Sequence, residues 1–138
     1  MTVAEPLDLN RAQQLVEHLV ADAKNRFGKP VCVAVCDTYG FLIAFGRADG
    51  APVRSIAISQ QKAYTSARIG TTTTAFHQRL QREEIGIGYF CDSLLTALAG
   101  GALLHDGDGR VIGAVGISGL APDQDQLLAD SGSAAIHS

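Results

Sequence analysis

Two strand-turn-strand units constrain the fold of this 138-residue chain more than any other feature. The first spans residues 31–45, with a turn at 37–40, and the second spans 102–118, with a turn at 106–109. Both turns contain glycine and aspartate, the residues that favour tight hairpin connections. Strands joined by such short turns must run antiparallel. The chain therefore predicts an antiparallel sheet built from at least these two hairpins.

Helical segments surround the hairpins. In the first of them, apolar residues recur at spacings of three and four, which makes one buried stripe. The predicted helices cover 8–27, 53–69, 75–84 and 123–136. Segment 85–99 is ambiguous, because its residues 93–98 fit either a strand or a helical turn. We predict a single α+β domain over 1–138, an antiparallel sheet of about five strands flanked by helices.

Composition excludes several classes of function. The 11 basic and 14 acidic residues give a net charge of −3, and no basic run is present, which argues against nucleic acid as a partner. No apolar stretch approaches the ~20 residues of a membrane span, and the first residues lack a secretion signal pattern. We therefore expect a cytoplasmic protein. Because only 18% of residues are charged, we also expect a homo-oligomer.

Two glycine-containing loops beside predicted helix starts are candidate sites for an acidic ligand. The first carries Arg47 and Asp49, and the second carries Ser118 and Gly119. Helix N-termini present unpaired N–H groups that bind carboxylates or phosphates, and an arginine adds a forked contact. The alternative is that these glycines only shape turns.

Lys62 lies in the middle of a predicted helix that is otherwise rich in small and apolar residues. A partly buried lysine needs an anionic partner or a lowered pKa, so we expect Lys62 to pair with Asp49 or with an acidic ligand. The alternative is a lysine whose stem covers the core while its ammonium reaches water. Tyr64, two residues later, is a candidate proton donor or phenolate ligand of iron.

The four histidines do not form a metal site by their spacing. They are His18, His77, His105 and His137. No pair has the i, i+4 spacing of two ligands on one helix, but a single axial heme ligand needs only one side chain. His18, between Leu15 and Leu19, is the best placed of the four. A structural or solvated role is the alternative for each. The three cysteines lack a CxxC pair and fit reduced thiols.

A colinear set of short motifs identifies a resemblance. The segments read VAVCDTYG at 33–40, RADGA at 47–51, KAYTSA at 62–67 and GAVGISG at 113–119, followed by QD at 124–125. Together they resemble the GlcG/HbpS-like heme-binding family, which is related to the C-terminal domain of the propanediol-utilization protein PduO. The chain departs from the family pattern at Gly100–Leu104, where a proline is expected, and over 82–98.

The resemblance implies a profilin-like sandwich that forms homo-oligomers such as dimers, tetramers or octamers. It also implies binding of heme or a related tetrapyrrole, with a possible part in its breakdown. The implied motif positions are Arg47, Asp49, Lys62, Ser118, Gly119 and Asp125.

Three hypotheses follow. In the first, a tetrapyrrole packs between the first helix and the sheet, its propionates meet Arg47, Lys62 and the amides after Ser118, and His18 or Tyr64 is the axial ligand. In the second, a cofactor-independent lyase, isomerase or hydrolase acts on a small acidic metabolite, with Lys62 and Asp49 as catalytic groups. In the third, the second helix is an assembly interface around Ala63. The first two require the Arg47–Asp49 loop, Lys62 and the Ser118–Gly119 corner to surround one hollow.

Overall fold

The computed structural model describes residues 6–136, so His137 lies outside the described residues. The helices are α1 (Leu9–Phe27), α2 (Arg54–Ile69), α3 (Thr73–Glu83), α4 (Pro122–Asp130) and α5 (Gly132–Ile136), and the strands are β1 (Cys32–Cys36), β2 (Leu42–Arg47), β3 (Gly101–His105) and β4 (Val111–Ser118). Within 6–136, none of the helices combines the length and the apolar composition needed to cross a bilayer.

The strands form one antiparallel sheet in the order β2-β1-β4-β3. Both predicted hairpins are confirmed, and every residue of the central strand β1 is buried. The expected number of about five strands is wrong, because the sheet has four. Residues 93–98 form a loop, in which Thr96 N donates to the Thr65 hydroxyl (2.9 Å) and Leu95 buries its side chain beside Phe76. This loop therefore packs against helices α2 and α3 and adds no strand to the sheet.

Local capping residues explain where the helices begin and end. Asp8 Oδ1 accepts a hydrogen bond from Arg11 N (2.8 Å) at the start of α1, and Gly28 adopts the left-handed conformation at its end. Gly70 ends α2 in the same way. The Thr72 hydroxyl accepts from Ala75 N (3.0 Å), so α3 begins two residues earlier than predicted.

The predicted single helix over 123–136 is wrong, because the chain breaks it into α4 and α5 at Ser131. The Ser131 hydroxyl donates to Leu128 O (2.6 Å), which satisfies a carbonyl at the end of α4. The Ser133 hydroxyl then accepts from His105 N (2.9 Å), so the second piece contacts β3.

Helices cover both faces of the sheet. One face packs on α1, α4 and α5 and forms the main core, while the other carries Ala34, Cys36 and Ala114 against α2. The approach of α2 is close because β4 has Gly116 there: a Cβ at this position would lie 2.6 Å from Ala63 N and would also clash with Ser59 O. Ala63 is buried against the sheet, so its side chain packs within the chain.

Candidate functional site

The structure divides the expected single hollow into separate clefts. Arg47 and Ser118 pair with Cys32 from its two sides, so their Cα atoms lie two strand spacings, about 10 Å, apart. Because directly paired residues share a face, the side chains of Arg47 and Ser118 both leave the sheet on the side covered by α2. Arg47 also borders a cleft beside α1, whereas Ser118 borders one beside α2. Asp49 lines the same cleft as Arg47, whereas Lys62 and Gly119 line the same cleft as Ser118.

The first of these, which we call the basic cleft, lies between the end of α1 and the loop after β2. Its lining residues are Val20, Lys24, Gly28, Lys29, Pro30, Arg47, Ala48 and Asp49, and its volume is about 470 Å³. The loop is held in place because Ala48 N donates to Val31 O (3.0 Å) and Ala51 N donates to Ala48 O (3.0 Å). Two lysines, one arginine and one carboxylate therefore belong to residues that line this cleft, with apolar patches from Val20 and Pro30.

The sequence interpretation missed Lys24 and Lys29 as part of this site. Basic residues near the end of a helix are ordinarily explained by the helix dipole, and α1 has both Lys24 and Arg26 in its last turn. Only the path of the chain after Gly28 shows that Lys24 and Lys29 face the same space as Arg47.

The second cleft, which we call the lysine cleft, contains the buried ammonium of Lys62. Its Nζ donates to Ile117 O (2.7 Å) and to Asp125 Oδ2 (3.2 Å). The predicted partner Asp49 is therefore wrong, and Asp125, 63 residues away in the sequence, takes its place. Gly100 makes room for this contact, since a Cβ there would lie 2.8 Å from Nζ.

Burial sets the electrostatics of this pair. Desolvation lowers the pKa of Lys62 and raises the pKa of Asp125, while the attraction between the two charges opposes both shifts. Asp125 also holds the loop before α4, because its Oδ1 accepts from Leu120 N (3.1 Å). Both carboxylate oxygens are thus engaged within the protein.

Ser118 and Gly119 complete the wall of the lysine cleft. The Ser118 hydroxyl donates to the Ser55 hydroxyl (3.0 Å), and both side chains are buried. Gly119 has φ = 138°, and a Cβ there would lie 2.8 Å from Pro30 O, so only glycine turns the chain at this corner. The cleft has a volume of about 180 Å³, and Arg54, at the start of α2, also lines it.

Tyr64 lies in a third place, an apolar groove of about 180 Å³ that Leu42, Ala63 and Leu94 also line. Its hydroxyl donates to Asp92 Oδ2 (2.6 Å), a hydrogen bond that raises the pKa of Tyr64 and lowers the pKa of Asp92. The phenol is therefore held in its protonated form, which disfavours a phenolate ligand. Asp92 was not predicted, because it lies in the ambiguous segment 85–99.

His18 is exposed on α1 and lies away from these three places. It lines a pocket of about 220 Å³ with Arg11, Gln14 and residues of α5. On a helix, His18 is rotated by about 200° from Val20, which faces the basic cleft. Within residues 6–136, no three or more His, Cys, Asp or Glu side chains are grouped so that they could hold a metal ion.

Known proteins resemble the chain over nearly its whole length. The family model described as haem-degrading protein HbpS-like matches residues 7–134. Protein GlcG of Escherichia coli K12 is 32% identical over 110 residues, which is 78% of this chain and 80% of GlcG. The crystal structure of a double mutant of HbpS from Streptomyces reticuli has a TM-score of 0.83 and 27% identity, covering 97% of this chain and 89% of that one.

A second structure, described as a complex of PduOC with heme, has a TM-score of 0.82 and 26% identity. The similarity covers 95% of each chain.

Proposed function

The chain belongs to the HbpS-like family, and from that premise we propose that it binds heme or a related tetrapyrrole in the basic cleft. The observation that carries this proposal is the cleft itself, in which Lys24, Lys29 and Arg47 surround a space of about 470 Å³. The solved PduOC–heme complex, which has the same fold, supports the choice of ligand.

Size and charge favour this cleft over the lysine cleft and the Tyr64 groove. Pockets for organic ligands ordinarily measure about 300–1,000 Å³, whereas the lysine cleft and the Tyr64 groove each measure about 180 Å³. Heme carries an apolar ring and two propionates. Val20 and Pro30 offer apolar surface to the ring, and the lysine and arginine side chains offer charge-assisted hydrogen bonds to the propionates.

The lining residues support recognition of the ring and its carboxylates and include none of the side chains that most often ligate heme iron. None of the eight residues around the basic cleft is His, Tyr, Cys or Met. We therefore expect iron-free protoporphyrin IX to bind about as well as hemin. In this proposal, His18 and Tyr64 no longer serve as axial ligands. Lys62 no longer contacts the propionates, because it pairs with Asp125 within the chain.

Titration of the purified protein with hemin, followed by its Soret absorbance, tests the proposal. Replacing both cations in K24Q/R47Q is expected to weaken binding about 10- to 100-fold, because each lost contact is a charge-assisted hydrogen bond. Arg82→Gln, which removes an exposed cation from α3, is the matched control and should bind as the wild type does. Absence of saturable binding, or equal binding by K24Q/R47Q, would contradict the proposal. A changed Soret band in His18→Ala would instead place the ring against the face of α1 that carries His18.

Two extensions belong to the same proposal. The family description names heme degradation, so loss of the Soret band in the presence of oxygen and a reductant tests whether binding leads to breakdown. Native mass spectrometry of the hemin-loaded protein reports ligands and subunits together, which tests the expected homo-oligomer.

The enzyme hypothesis loses its proposed catalytic pair, because Asp49 and Lys62 line different clefts.

A further inference from the structure

The lysine cleft holds more hydrogen-bond donors than its own acceptors use. An ammonium has three N–H bonds, and acceptors within residues 6–136 engage two of those of Lys62. Ser55 and Ser118 share one hydrogen bond, which leaves one hydroxyl proton of the pair available. Arg54, which also lines this cleft, carries a guanidinium with further donors. Such a set of donors is suited to an oxygen-rich acceptor.

The charges of the cleft favour an anion. Its lining side chains include two cations, Arg54 and Lys62, and one carboxylate, Asp125. That carboxylate is already neutralised, because Oδ2 accepts from Lys62 and Oδ1 accepts from Leu120 N. An incoming anion would therefore meet the positive charge of Arg54 and buried N–H and O–H donors.

The size of the cleft limits the anion. The volume of about 180 Å³ is less than half that of the basic cleft and below the ~300 Å³ at which pockets for ordinary organic ligands begin, so the cleft favours a small anion. A tetrapyrrole is far larger than this space. Leu98, Ala99 and Leu120 supply apolar wall beside the donors, which fits a carboxylate with a short apolar tail.

We propose that the lysine cleft is a second binding site, which takes a small monocarboxylate between Arg54, Lys62 and the Ser55–Ser118 hydroxyl pair. The carboxylate oxygens accept from the free donors of the cleft, and the short tail lies against Leu98 and Leu120. This inference rests on the lysine cleft alone and is independent of tetrapyrrole binding in the basic cleft.

Titration of the ¹⁵N-labelled full chain with acetate, with chloride replaced at constant ionic strength, tests the inference. We expect saturable shifts of the backbone amide signals of Ser118, Gly119 and Leu120. Acetamide, which has the same shape without the charge, is expected to cause no saturable shift. Hemin affinity measured in the same samples separates this site from the basic cleft.

Three variants make the result specific. R54Q is expected to weaken acetate binding about tenfold or more, as loss of a charged hydrogen bond does, and S55A is expected to weaken it several-fold. R82Q, which removes an exposed cation from α3, should bind acetate as the wild type does. The inference is overturned if acetate produces no saturable shift up to about 100 mM, or if R54Q binds it as tightly as the wild type. Equal weakening in R82Q would likewise overturn it, because the effect would then be one of net charge.

Discussion

Removal of the Lys62 ammonium tests the electrostatic account of the lysine cleft most directly. Lys62→Met keeps a long side chain but leaves Asp125 as a buried carboxylate without its cation. The side chains of the pair are only 4% and 5% exposed, so water cannot replace the lost partner. Breaking a buried pair in this way costs about 3–5 kcal/mol, a large share of the roughly 5–15 kcal/mol that stabilises an ordinary domain. We therefore expect a marked loss in the free energy of unfolding.

Urea denaturation of four proteins measures this effect: the wild type, Lys62→Met, Asp125→Asn and the double variant. An amide oxygen at position 125 can still accept from Leu120 N, so the double variant keeps the loop contact while removing both charges. We expect the double variant to be more stable than Lys62→Met by about 2 kcal/mol, so that the coupling energy between the two sites, which also includes the cost of Asp125→Asn, is at least about 2 kcal/mol.

The Arg79–Glu83 pair on α3 is the matched control. Its Nε–Oε2 distance is 2.6 Å, shorter than the Lys62–Asp125 contact, but its side chains are 42% and 45% exposed. Water screens such a pair, and the same double-mutant cycle should give about 0.3–0.5 kcal/mol. The reasoning is refuted if the buried pair shows no larger coupling than the exposed pair, or if Lys62→Met costs less than about 1 kcal/mol.

Three further predictions concern packing and the cysteines. Gly116→Ala should destabilise the protein by about 3 kcal/mol, because its Cβ would overlap α2, whereas Gly86→Ala, with open space around it, should cost less than about 0.5 kcal/mol in the same denaturation assay. Iodoacetamide should alkylate exposed Cys91 in the native protein and leave buried Cys32 and Cys36 unmodified until urea is added, as read by peptide mass spectrometry. Burial raises the pKa of Cys36 from 9.0 to about 12, so the folded state keeps this proton to higher pH than the unfolded state. The free energy of unfolding should therefore fall between pH 9.0 and about 12, by about 1.4 kcal/mol per pH unit from this group, and a parallel pH profile of Cys36→Ala would contradict this.

Much of the fold could be predicted from residues that act on their near neighbours. Asp8 and Gly28 bound α1 because a side-chain oxygen and a left-handed glycine satisfy the helix ends locally. The two hairpins follow from their turns, and the uninterrupted apolar run of β1 indicates burial on both faces. The break at Ser131 was missed, because its cause includes a contact between α5 and distant β3.

The candidate site could be predicted only as a set of residues. The motifs pick out Arg47, Lys62 and Ser118 from the chain, but spacing along the chain carries no information about which of them share a cleft. In the structure, Arg47 lines one cleft with Lys24 and Lys29, whereas Lys62 and Ser118 line another.

Local patterns therefore determine the helices, the hairpins and the identity of the polar residues, because capping, turn geometry and periodicity act over a few residues. Lys62 finds its partner Asp125 across 63 residues of sequence, and Tyr64 finds Asp92 across 28. The shapes of the clefts also depend on how closely α2 packs on β4. Such contacts exist only after the layers have packed, since only packing brings these groups together and removes the water that would otherwise solvate their charges.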